Sequence, residues 1–284
     1  NVNAARLRRG KSDQILFGAL IEKTEVFDFN HAILIHYLTN KLMKLGYDLV
    51  IHPFEQSKES WNNIVEKVLN KSVDGVILQL DASLVPELIQ DLVKTKAPVA
   101  IYDSSADAMD NSLVDTVTCS FLDNLIQSFK NKKLPPETEV FCIVQNEVYD
   151  DRLVQDFINV SKIYNLKNIN PEIRYDSEKP GFQGIWQRII EKASGRPAVV
   201  LFRTGNMLEK AFFELRSTGI KSLDNIHIYS LKHNFDTHAP DVARISIMVS
   251  DFENITELLI QNVINRIENP DSEISVNILP GKII

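Results

Sequence analysis

The chain has 284 residues, 44% hydrophobic and 24% charged, with 10 Gly and 11 Pro, an ordinary globular composition that excludes disordered, collagen-like and low-complexity classes. At about 150 residues per domain, this length predicts two lobes. Lys+Arg 31 against Asp+Glu 38 gives a net charge of −7, yet the first twelve residues carry Arg6, Arg8, Arg9 and Lys11 and no acid. The rest of the chain is therefore strongly acidic and repels nucleic acid, so any DNA contact has to come from that basic end. No apolar run approaches the ~18 residues of a membrane helix, and no basic-then-apolar leader opens the sequence. Two cysteines, Cys119 and Cys142, make no disulfide framework and point to a reducing, cytoplasmic setting.

Along the chain, strands and helices alternate. Gln14 to Ile21 is a strand-length apolar run, followed by a helical pattern over Asn30 to Lys44 and a Gly46-Tyr47 stop. Tyr47 to Ile51 reads as a strand and Ser57 to Leu69 as a helix starting near Ser57. Val73 to Leu78 and Ala97 to Tyr102 are further strands, separated by a helix over Val85 to Lys94 and closed by Asp103. The runs are continuous rather than alternating, as parallel strands covered on both faces require. After the polar stretch Asp103 to Asn111, a second series begins. Its strands are Val114 to Thr118, Glu139 to Val144, Glu172 to Tyr175, Ala198 to Phe202 and Ile226 to Ser230. Helices fall at Phe121 to Asn131, Asp151 to Tyr164, Phe182 to Ala193 and Asn206 to Ser217; Trp186 sits inside one and reads as core. A strand over Ala243 to Val249, a helix over Phe252 to Glu268 and a strand over Ile274 to Leu279 complete the chain. Two such series predict an α/β protein of two doubly wound parallel-sheet lobes, binding its ligand beyond the carboxyl ends of the strands.

Most enzyme signatures are absent: there is no phosphate loop, no Gly-x-Gly-x-x-Gly, no Gly-x-Ser-x-Gly elbow and no His-Glu-x-x-His. His31 and His36 lie five apart, which splays them around a helix, so no metal is expected. Asp150-Asp151 suits a helix cap better than an acid/base pair. No catalytic residue and no cofactor is expected.

The distinctive segment is the first: Asn1-Val-Asn-Ala4-Ala-Arg6-Leu7-Arg8-Arg9-Gly10-Lys11-Ser12. It resembles the hinge of the lactose/galactose repressor family, with Asn1, Ala4, Leu7, Gly10 and Ser12 in register. Asn1 suits a cap, Ala4 is small enough for two copies to pack, Leu7 can wedge between base steps, and Arg6, Arg8 and Arg9 can meet phosphates. Further landmarks resemble the same family: Gly46-Tyr47, Val73-Asp74-Gly75-Val76-Ile77, Pro98 to Asp103, Arg152 to Phe157, Gly219-Ile220 and Val276-x-Ile278-Leu279-Pro280.

The resemblance implies a periplasmic-binding-protein-like type I fold. It implies a hinge over 1–12, an N-terminal lobe over 13–107 plus 236–268, and a C-terminal lobe over 108–235 plus 269–284. It also implies a homodimer that senses a small molecule, shifts between lobe arrangements and contacts operator DNA through a headpiece ahead of Asn1. A solute-binding protein of a sugar transporter, which shares the fold, stands as the alternative.

Departures from the family pattern bear on the effector. The usual Asn-Asp pair is replaced by Thr204-Gly205, the Gly-Phe/Tyr-Asp-Asp motif by Ser230-Leu231-Lys232-His233, and Asp-x-x-x-Gly is lost around Ser120 to Asn124. Losing carboxylates that hold sugar hydroxyls while gaining Lys232 and Arg203 makes the expected site more basic, which suits an anionic sugar derivative. Phe27 and Phe29 after the first strand, Asp81, Asp103, Arg152, Tyr175 and Asn206 complete the candidate effector residues.

Overall fold

The structure, a computed structural model, describes residues 12–21, 29–103, 113–145, 152–166, 168–175, 184–203, 205–218, 223–231 and 244–284. The hinge residues Asn1, Ala4, Arg6, Leu7, Arg8 and Arg9 lie outside the described residues, as do Phe27 and Lys232. Chain contacts divide the protein into two units, Asn1–Cys119 with Asp251–Leu279, and Ser120–Ser250 with Pro280–Ile284.

In the first unit β1 (Gln14–Leu20) leads to α1 (Phe29–Lys44), β2 (Asp48–Phe54) to α2 (Lys58–Leu69), and β3 (Gly75–Leu80) through a 3-10 turn (Ala82–Leu84) to α3 (Pro86–Thr95). β4 (Val99–Asp103) and β5 (Asp115–Ser120) follow, and α8 (Phe252–Glu268) and β11 (Val276–Pro280) return from later in the chain. The sheet order is β11-β5-β4-β3-β1-β2, and β1 pairs in parallel with both β2 and β3. Leu16, Val76, Leu78, Val99 and Ile101 pack on Trp61 and Ile64 of α2 and on Leu88, Ile89 and Leu92 of α3. Ile15, Phe17, Ile77, Ala100 and Val117 cover the other face with α1 and α8. β1, β3, β4 and β5 thus bury both faces, as their unbroken apolar runs require, while the edge strands β2 and β11 stay partly exposed. Ser57 caps α2, its hydroxyl accepting from Ser60 N at 3.3 Å.

The second unit repeats the arrangement. It contains α4 (Leu122–Lys132), β6 (Glu139–Gln145), α5 (Arg152–Ile163), β7 (Asn168–Tyr175), α6 (Ile185–Ala193), β8 (Ala198–Phe202), α7 (Gly205–Thr218), β9 (Ile226–Leu231), β10 (Arg244–Val249) and β12 (Lys282–Ile283). The order is β12-β10-β9-β8-β6-β7, parallel except for β12, which runs antiparallel to β10. Trp186 is fully buried among α6, α7 and the sheet, and its indole N–H donates to Ala211 O at 2.6 Å. On the opposite face Phe129, Phe157 and Tyr229 stack edge to face.

The sheets exchange strands later than the polar stretch suggests. The expected boundary at 107/108 falls in the β4–β5 connection, whereas β5 still belongs to the first sheet and the units part at 119/120. Within the segment 236–268 expected in the first lobe, β10 joins the second sheet and only Asp251 onward belongs to the first unit. Within 269–284, expected in the second lobe, β11 joins the first sheet and only Pro280–Ile284 belongs to the second unit. An apolar run specifies a strand but not the sheet that receives it.

Burial of Tyr229 pushes its phenol well above the usual value, countered in part by the Ser128 hydroxyl 2.9 Å away. A raised folded pKa favours the neutral form, so this contribution is present below the unfolded pKa of about 10 and is lost as pH rises above it. Alkaline melting of Tyr229→Phe should therefore show a weaker fall in stability above about pH 10 than the parent chain; an identical fall would refute the assignment.

Candidate functional site at the sheet switch points

Both sheets have the same doubly wound order, in which the second strand lies on one side of the first and the third on the other. The chain therefore leaves in opposite directions from β1 and β3, and from β6 and β8, which opens a crevice at the carboxyl ends of each pair.

In the first unit the residue after β3 is Asp81, 8% exposed, whose carbonyl accepts from Leu84 N at 3.1 Å and starts the 3-10 turn. Asp103 ends β4 on the adjacent strand, and its Oδ1 accepts from Ala82 N at 3.0 Å. That carboxylate thus braces the turn after β3. Phe29 is the first residue of α1 rather than part of a loop.

In the second unit Arg152 opens α5, the helix that follows β6 in the chain, and its Nε is buried with no hydrogen-bond partner among the described residues. An unsatisfied buried guanidinium nitrogen is costly, so a donor in this state asks for an acceptor. Arg203 follows β8, and its backbone N–H donates to Ile143 O on β6 at 3.2 Å, which locks the two strand ends together. In chain order, Arg203 directly follows β8, and Arg152 opens the helix after the neighbouring β6. Tyr175 ends β7 on the far side of β6, and Asn206 lies in the first turn of α7, just beyond Arg203.

Asp156 is a residue the sequence reading did not single out. It is 4% exposed, one turn beyond Arg152, and its Oδ2 accepts from the Ser120 hydroxyl at 2.9 Å and from Phe121 N at 3.0 Å. It fixes the end of β5 at Ser120 and the chain entering α4 at Phe121. The chain returns beside it: Gly281 N donates to Ser120 O at 2.8 Å, and a Cβ on Gly281 would lie 2.1 Å from the Phe121 ring, so only glycine fits there.

No group of three metal-ligating side chains occurs among the described residues, and His36 on α1 instead meets the Asn40 amide at 3.1 Å. No described helix is long and apolar enough to cross a membrane.

No family model and no curated protein matches the sequence. Solved structures do. The transcriptional regulator CelR in complex with cellobiose superposes with a TM-score of 0.74 at 12% identity, covering 100% of this chain and 88% of that one. The lac repressor dimer bound to operator and the anti-inducer ONPF gives 0.73 at 14% identity, covering 100% and 96%. A LacI family regulator from Enterococcus faecium with bound ribose gives 0.69 at 14% identity, covering 95% and 96%. The chain has the fold of these regulator cores, the periplasmic-binding-protein-like type I architecture of two parallel-sheet units.

Proposed function

We propose that this chain is the effector-sensing and dimerising core of a DNA-binding transcription regulator, that its effector is a sugar or an anionic sugar derivative, and that it is not an enzyme. The observation that supports the effector class is the buried Nε of Arg152, which has no hydrogen-bond partner among the described residues; Arg203, just after β8, is assigned to the same site. Arg152 and Arg203 supply charge-assisted donors suited to a carboxylate or phosphate, and Lys232, next after β9, adds a third cation. Phe27 and Phe29 supply an aromatic face for a sugar ring; Asp81, Asp103, Tyr175 and Asn206 are assigned to its hydroxyls. Structural neighbours bound to cellobiose and ribose support a sugar-like ligand, and the operator-bound neighbour supports the DNA assignment.

The regulator reading is preferred to a transporter's solute-binding protein because of the basic segment Arg6 to Lys11, which a solute receptor has no use for. Asn1, Ala4 and Leu7 are assigned to the same minor-groove segment. The regulator reading places the protein in the cytoplasm.

A thermal-shift screen of sugars, sugar acids and sugar phosphates tests the effector assignment. A ligand at a hundred times its dissociation constant stabilises by about 2.7 kcal/mol, a readily seen shift. A clear response to neutral sugars alone would overturn the anionic preference.

Dimerisation is assigned to the edge of the first unit formed by α1, β2 and α2, where Met43, Leu45, Ile51 and Leu69 are exposed apolar side chains. Sedimentation at tens of micromolar should give a dimer, and Ile51→Glu with Leu69→Glu a monomer. A monomeric parent chain would contradict this.

A further inference from the structure

Where the basic segment joins the first unit, three successive residues are held by Asp74. Ser12 N donates to Asp74 Oδ1 at 2.9 Å, Asp13 N donates to Asp74 Oδ2 at 2.6 Å, and Asp74 N donates to Gln14 O at 2.8 Å. From the other side Asp48 N donates to Asp13 O at 2.9 Å, and Gln14 N donates to the Ser12 hydroxyl at 3.3 Å. Asp13 adopts a left-handed backbone, φ 55°, a conformation aspartate tolerates better than most residues. The clamp fixes the chain two residues ahead of β1, farther than the sheet itself requires.

The neighbouring positions explain the rest of the Val-Asp-Gly triplet. Val73 is buried in the core, and a Cβ on Gly75 would meet Val263 of α8 at 2.5 Å. Core and helix packing account for Val73 and Gly75; only Asp74 is turned toward the incoming chain.

We propose that Asp74 is a positioning residue for DNA contact: by clamping Ser12 and Asp13 it sets the point and direction at which the basic segment leaves the unit. This rests on the reading of Arg6 to Lys11 as the DNA-contacting segment. A pair of such segments in a dimer meets one duplex only if both leave from fixed places, and slack at the root lowers their effective concentration at the groove. The exit is also acidic. The phenol of Tyr47 is raised first by burial and then by the charges of Asp74, Asp13 and Glu268. Holding the root by backbone N–H groups orders it without engaging an arginine needed for phosphate.

Charge and positioning predict opposite signs. Removing an acid beside a basic segment should tighten DNA binding if charge alone matters; removing the clamp should weaken it. The test is fluorescence anisotropy of a labelled 20-base-pair duplex with the full chain and its Asp74→Ala and Asp74→Asn variants across a salt series. Expected is about a tenfold loss of affinity for Asp74→Ala and a smaller loss for Asp74→Asn, which keeps one acceptor. The salt slope should be unchanged because no cation is lost. Arg8→Ala with Arg9→Ala should instead lower both affinity and slope. Sedimentation and melting of Asp74→Asn confirm a folded, parent-like assembly. Parent-like or tighter binding by the Asp74 variants overturns the proposal alone. Absence of duplex binding by the parent chain, or a double-arginine variant that binds like the parent, overturns the reading of the basic segment and the proposal with it.

Discussion

Asp115→Ala should cost the first unit about 3–5 kcal/mol and lower its melting transition by roughly 10 °C. Asp115 is 4% exposed as a side chain and Arg266 16%. The guanidinium of Arg266 donates to both Asp115 oxygens through Nε and Nη2, and its Nη1 donates to Ser272 O at 2.9 Å. Ser275 adds its backbone N–H at 2.8 Å and its hydroxyl at 3.1 Å to the same carboxylate. One buried side chain therefore joins the start of β5 to the end of α8 and the approach to β11, both more than 150 residues later in the chain. Truncating it leaves a nearly buried guanidinium and two donors unpaired, and that uncompensated charge, rather than the loss of the pair itself, sets the size of the effect. The double variant Asp115→Leu with Arg266→Met should recover a large part of the loss. Calorimetry decides: a loss under about 1 kcal/mol would put this pair in the class of exposed bridges such as Lys41–Glu257.

Lys232→Ala should weaken binding of an anionic effector roughly tenfold to a hundredfold, the value of one charge-assisted hydrogen bond of about 1.5–3 kcal/mol. Arg152→Ala should do at least as much, because its buried Nε has no hydrogen-bond partner among the described residues and is open to an anionic acceptor. Neither substitution should change affinity for a neutral sugar of the same shape by a comparable factor. Titration calorimetry with neutral and phosphorylated forms of one sugar separates the cases. Equal binding of both forms, or a Lys232→Ala variant with parent affinity, removes the anionic preference and leaves the DNA assignment intact, since that assignment rests on the basic segment.

Element by element, the strands were legible because parallel strands buried on both faces give unbroken apolar runs, as in Ala198 to Phe202. β2 extends through Pro53 to Phe54, past the expected end at Ile51, because an edge strand tolerates a missing N–H. Strand exchange between the units was not legible. Asp115 to Ser120 would look the same in either sheet, and its placement depends on Ser275 and Arg266, which no local pattern connects to it. At the candidate site, Arg152 and Arg203 stand out in the sequence only through comparison with the family pattern, since nothing local to either residue marks a ligand. The bracing role of Asp103 could not be read there, since it depends on the register between β3 and β4. Asp156 was hidden for a similar reason: its partners, Ser120 and Phe121, lie 36 and 35 residues away. Asp74 was visible as part of a motif, while its task became apparent only when Ser12 and Asp13 were found on its carboxylate.

The claim that one chain both senses an effector and contacts DNA is tested most directly by measuring whether the two bindings are linked. Anisotropy of a labelled duplex should be recorded with and without the sugar derivative that most stabilises the chain, and calorimetry of that derivative with and without saturating duplex. Coupling of about 1–3 kcal/mol is expected, a shift of roughly 5- to 150-fold in each affinity, and by reciprocity the two factors must agree. Duplex affinity that does not move while the effector site is saturated would contradict the account.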